Sequence, residues 1–213
     1  MDEQARHEAF MSALVTEHFV LSGSRTATIV EANGRAAIYL STVSSALVAL
    51  GFASQAVRHV GPFVAAVLPA LVILGLFTFI RLVENAIENI VFLEKVQRIR
   101  GYYRQLTPEA VAFFDDVGAD PAALAPALGS TGMSAAPHEV LYTAASMVAA
   151  VNAILVGAGI GLLVRALTNT PLALAVVVSV VVGLVVFGAH IAYELRRGDA
   201  AVGWRLQAQN RNR

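Results

Sequence analysis

Four stretches of this chain carry no Asp, Glu, Lys or Arg: residues 36–57, 63–80, 142–164 and 172–189. Each is close to the roughly 20 apolar residues that a hydrocarbon layer of about 30 Å requires. Pattern therefore predicts an all-α polytopic membrane protein with four transmembrane helices, over 36–57, 62–82, 141–165 and 172–192. The polar segments between them sort into a helical layer. Residues 1–35 read as N-terminal helices and 84–138 as an extension of span two plus short helices and a linker. The hairpins are 36–83 and 139–193, and 194–213 is a tail.

Within the layer the apolar positions take a helical period. Phe10, Leu14 and His18 make one row, and Met11, Val15 and Phe19 the next. This segment has little Lys or Arg, which favours packing on other helices over lying on a membrane surface. Ser22-Gly23-Ser24 predicts a break, after which a second helix capped by Ser24 leads into span one, with a kink possible at Gly34. Span two has Pro69 near its middle and no breaker between it and Gly101, so one helix of about 45 residues should pass from span to charged segment. Thr107-Pro108-Glu109 and Asp120-Pro121 are two further helix starts, and 129–137 reads as a linker. Thr168-Asn169-Thr170-Pro171 is a tight turn between spans three and four.

Composition sharpens the membrane reading. The chain is 57% hydrophobic and 14% charged, where soluble domains carry about 25% charged residues. There is no cysteine, so disulfides and thiolate metal sites are excluded. Met1-Asp2-Glu3-Gln4 lacks the basic-then-apolar order of a cleaved signal peptide. Of the 15 basic residues, thirteen lie in the N-terminal segment, the central segment and the tail; Arg58 and Arg165 alone fall in the hairpin turns. The positive-inside rule then puts both termini and the central segment in the cytoplasm, with a bacterial inner membrane as the location. A formal net charge of zero argues against nucleic acid as a partner.

Candidate chemistry is sparse. No Glu-x-x-His or paired nucleophile and base stands at one depth, so no catalytic residue, metal ligand or cofactor is expected and the chain is read as not an enzyme. What remains are pathway or interface residues. Ser41 and Ser45 continue into Ala49 and Ala53 as a ridge of small side chains on span one. Gly157 and Gly161 end the row Ala145, Ala149, Ala153 on span three, and the Gly-x-x-x-Gly spacing favours close helix crossing. Asn152 is the one amide within the apolar run of span three and needs a partner in lipid. Glu31 and Arg35 can pair at the entry to span one. Glu84 and Glu88 are like-charged neighbours that call for basic partners or, as a ring beneath a pore, would select cations. His190 and Glu194 stand four apart at the end of span four.

The segments Arg25-Thr26-Ala27-Thr28-Ile29-Val30-Glu31-Ala32-Asn33-Gly34-Arg35 and Arg98-Ile99-Arg100-Gly101-Tyr102-Tyr103 resemble a family of small bacterial four-span proteins without an established activity. The layout is more distantly similar to the SLATT and Pycsar-type transmembrane effectors of bacterial defence, which implies action on the inner membrane. No catalytic or ligand motif comes with that resemblance, and no nucleotide-sensing domain is recognisable here. Two functions are expected from the chain: a homo-oligomeric ion channel or pore-like protein whose copies meet through the small faces of spans one and three, or a membrane-anchored scaffold whose cytoplasmic helices bind a partner. The partners implied are the lipid bilayer, further copies of the chain and small ions.

Overall fold

The computed structural model describes residues 2–56, 60–114 and 143–211. Within these the chain is all-helical: α1 (Glu3–Ala56), α2 (Gly61–Arg104), a short 3-10 helix (Pro108–Ala112), α3 (Ala144–Thr168) and α4 (Leu172–Arg211). Four helices are long and apolar enough to cross a membrane. Arg58, the 120–128 helix and the 129–137 linker lie outside the described residues, as does the side chain of Trp204.

The first difference from expectation is in α1. It starts at Asp2, whose carboxylate accepts from the Ala5 amide at 2.8 Å, and runs without interruption through Gly23 and Gly34. A glycine costs a helix about 1 kcal/mol against alanine. That is small beside the burial of Leu21 and Thr28 on either side of Gly23, and a break there would put both out of register with their surroundings. α2 is continuous as expected and carries Pro69 inside it. Its inward positions, Leu71, Gly75, Thr78, Leu82, Asn85, Asn89, Phe92, Val96, Ile99 and Tyr103, step four and three alternately and are buried or half-buried. This is the 3.5-residue seam of helices that pack side by side. α4 differs as well, because the helix continues to Arg211 through what was expected to be a separate tail.

The contacts divide the chain into two compact units, Met1–Glu31 with Asn85–Glu139, and Ala32–Glu84 with Val140–Arg213. The first unit pairs the N-terminal part of α1 with the C-terminal part of α2. Leu21, Val96 and Ile99 form its core, with Leu14, Phe92 and Tyr103 packed around them. Phe10 meets Tyr102 edge-on at 5.6 Å, and Arg25 Nε donates to Asn89 Oδ1 at 2.9 Å. The row Phe10, Leu14, His18 is thus the one that packs, while Val15 and Phe19 in the neighbouring row are exposed. After α2, Thr107 caps the 3-10 turn by accepting from the Ala110 amide. Phe114 then lies beside Tyr103, at 5.9 Å, with the Arg100 guanidinium over its ring.

The second unit holds the four apolar segments. α3 begins at Thr143, whose hydroxyl accepts from the Ser146 amide. It ends at Asn169 in the left-handed conformation, φ 52°, with the Asn169 amide returned to the Arg165 carbonyl. That is an αL C-cap built on asparagine, which tolerates positive φ, and it folds α4 back against α3 as the turn at 168–171 predicts. The close contact of α3 with α4 depends on glycine. A Cβ at Gly157 would collide with the Ser179 carbonyl oxygen, and one at Gly161 with the Ser179 hydroxyl.

Candidate functional site

The second unit buries more polar chemistry than its apolar composition suggests, and that chemistry comes from all four helices. At one level lies Glu194 of α4, 8% exposed. Its carboxylate accepts from the Thr143 hydroxyl at 3.0 Å and from the Ser146 hydroxyl at 3.3 Å. Thr143 and Ser146 are in turn 3.0 Å apart. The N-terminus of α3 is therefore fastened to α4 through a carboxylate, with the helix-start dipole on the favourable side of the negative charge. One turn along α4, His190 stands four residues before Glu194 but does not pair with it. Its Nδ1 lies 2.8 Å from the Val186 carbonyl, which makes that nitrogen the proton-bearing one. Nε2 is buried without a protein partner, and the ring packs on Phe79 with centroids 4.5 Å apart.

One turn from Phe79 along α2 stands Gly75, where Tyr39 of α1 and Asn152 of α3 converge. Tyr39 is 0% exposed and Asn152 2%. A Cβ at Gly75 would sit 2.5 Å from Asn152 Oδ1 and 2.7 Å from the Tyr39 hydroxyl. The absent side chain is what lets two polar groups reach the middle of the bundle. Neither Asn152 Oδ1 nor the Tyr39 hydroxyl has a hydrogen-bond partner among the protein groups. Buried polar atoms are nearly always satisfied, so two orphans meeting at one glycine mark a special place.

The expected site residues are scattered by this arrangement. Asn152 is where a pathway or glue residue should be, inside the bundle. Ser41 and Ser45 are on the exposed side of α1 and are not brought to Asn152. Gly157 and Gly161 are buried against α4 of the same chain. This corrects the expectation that span three offers that face to another copy, because within-chain packing already uses the close approach that glycine permits. Glu84 finds its basic partners within the second unit, Arg81 at 3.6 Å and Arg197 of α4 at 3.9 Å, and not on the N-terminal helix. Glu88 and Glu31 belong to the first unit and Arg35 to the second; Glu31 and Glu88 are half-buried and Arg35 is exposed.

Sequence reasoning missed Tyr39 and Gly75 altogether. Their signal was present: Tyr39 lies within the uncharged run 36–57, and Tyr, unlike Phe, brings a hydroxyl that must be met. Among the described residues no cluster of three or more His, Asp or Glu could hold a metal ion. No protein-family model matches the chain, and no curated protein or solved structure is significantly similar to it.

Proposed function

We propose that the chain is a homo-oligomeric membrane protein that passes small ions along an axis lined by α1. The single observation that carries this reading is the distribution of hydroxyls on the outside of the second unit. Within the four apolar segments, the exposed Ser and Thr residues, Ser41, Thr42, Ser44, Ser45 and Ser54, all stand on α1. Thr42 and Ser54 return their hydroxyls to their own helix. The outer surface of α4 is instead Val176, Val177, Val180, Val181, Leu184 and Val185, as a surface facing acyl chains should be. A helix that turns hydroxyls outward in hydrocarbon is favoured when another helix or water faces it. Copies assembled around α1 would supply both. The likeness in layout to effectors that act on a bacterial inner membrane runs in the same direction.

Purified protein reconstituted in liposomes tests this by ion flux. Conductance should be present, and Ser41→Leu with Ser45→Leu should abolish it while leaving oligomer size unchanged by native mass measurement. A chain that stays monomeric in nanodiscs and conducts at no voltage or pH refutes the reading.

A second reading has its own observation. In the first unit Phe19, Val30 and Phe113 are 70%, 65% and 79% exposed, outside any apolar segment. Such side chains suit a helical platform that receives a protein partner. Crosslinking from Phe19 and Phe113 positions distinguishes the two: adducts to other copies alone leave no place for a separate partner.

A further inference from the structure

Beside the crossing of α3 and α4, within the second unit, lies an open groove of about 370 Å³. The crossing itself creates it. Gly157 brings α3 onto the Ser179 carbonyl, and a Cβ at Gly183 would stand 3.3 Å from the Ala153 carbonyl. The two backbones meet there, and the side chains that diverge from the contact leave a furrow. Ala153, 3% exposed, and Gly183 form its floor, while Ile154 and Leu184, 69% and 67% exposed, form its rims. The helices already touch, so the furrow cannot close by their moving together. Its lining offers an occupant no free donor, because the one hydroxyl, on Ser179, donates back to the Ala175 carbonyl at 2.9 Å. Both walls belong to the uncharged runs 142–164 and 172–189.

We propose that this groove seats one acyl chain of a phospholipid. The inference rests on the membrane reading of the four apolar helices and not on conduction along α1. Complementarity is its first support: walls with neither charge nor free donor suit an occupant that has neither. Size is the second. The lining residues Ala150 and Ala158 are eight positions apart, about 12 Å along α3, so 370 Å³ corresponds to a section of roughly 30 Å². A helix about 10–12 Å across needs roughly 80–110 Å², so a second copy places no more than single side chains in the groove. A methylene chain packed at carbon–carbon distances of about 3.5–4 Å needs roughly 15–20 Å² and lies along it. Within hydrocarbon, transfer from water drives nothing and packing decides what associates. A chain on an ordinary helix surface is touched from one side. In the groove it is touched by α3, by α4 and by the backbone floor between them.

The test uses full-length protein in nanodiscs made with a phosphatidylcholine that carries a diazirine midway along one acyl chain. After irradiation, adducts are placed by residue-level mass spectrometry. Val177, Val181 and Val185 of α4 are 56%, 53% and 67% exposed and lie outside the groove lining, so they report lipid that merely surrounds the protein. Adducts at Ala150, Ile154 and Ala158 should exceed those at the three valines by at least about fivefold, because a chain touched from several sides gains more contacts than one touched from a single side. Ala158→Phe fills the groove and should bring the adducts at Ala150 and Ile154 down to the valine level, while Val181→Phe leaves them unchanged. The wild-type pattern stands by itself should Ala158→Phe fail to assemble. Even labelling of groove and valines overturns the seat, and so does a groove without adducts. The chain has no cysteine, so disulfide-linked dimers formed in high yield by Ile154→Cys or Leu184→Cys would overturn it too, with a second copy as the occupant. No ion flux is read, so failure of conduction around α1 and failure of the seat are separate results.

Discussion

The same substitution should have opposite effects at two glycines, and the difference is one of surroundings. Gly23 stands in the interior of α1, and a Cβ there would meet nothing within 4 Å. Gly23→Ala should therefore stabilise the protein by about 1 kcal/mol, the helix propensity difference, read as a raised melting temperature in detergent. A turn at Ser22-Gly23-Ser24 would give the opposite sign. At Gly75 the propensity gain is the same, but a Cβ meets Asn152 Oδ1 at 2.5 Å. Overpacking costs about 1–3 kcal/mol, and displacing the Asn152 amide adds to that, so Gly75→Ala should lower the melting temperature. Asn169 makes a third case. Its φ of 52° suits glycine, and Asn169→Gly should be close to neutral. Asn169→Val should cost about 1–2 kcal/mol, the usual penalty for a left-handed L-residue. Of these positions Asn169 was legible as a turn from Thr168-Asn169-Thr170-Pro171. Gly75 was not, because its importance lies in residues 36 places earlier and 77 places later in the chain.

At the scale of elements, length overrides local breakers. α1 is 54 residues long, or about 80 Å at 1.5 Å per residue, and α2 is 44 residues long. What holds the first unit's parts of them together is a narrow apolar seam. Leu21 is 4% exposed and meets Val96 and Ile99. Leu21→Ala should cost about 2–4 kcal/mol, in the range for a buried leucine that leaves a cavity. The check is proteolysis or hydrogen exchange: the first unit's amides should lose protection while those of α3 keep theirs. Phe19→Ala, whose side chain is 70% exposed, should leave that protection unchanged. The helical period at Phe10, Leu14 and His18 was readable in the sequence, but two adjacent rows were equally apolar. Only the position of Tyr102 and Tyr103 on α2 decides which row is inside. Ser22-Gly23-Ser24 is a local break signal, but α1 runs through it because the neighbouring turns are tied to α2 through Leu21 and Arg25.

For the whole molecule, four helices among the described residues are long and apolar enough to cross a membrane. The distribution of arginine predicts that the turn after α3 faces away from the termini. In the cysteine-free chain, Thr168→Cys should be labelled by an impermeant reagent from the outer face and Ala9→Cys only after the membrane is opened. Labelling of both from one side contradicts the topology.

Charge content, the four uncharged runs and the pairing of Thr168–Pro171 with two apolar helices were settled by the sequence, since length and hydropathy are local sums that no packing can alter. Which small faces are spent inside the chain, which hydroxyls are left outside, and that Tyr39, Gly75 and Asn152 share one point were decided by tertiary structure alone. An apolar helix is greasy all round, so its hydropathy carries no mark of the side that meets protein; that side exists only once a second helix lies against it.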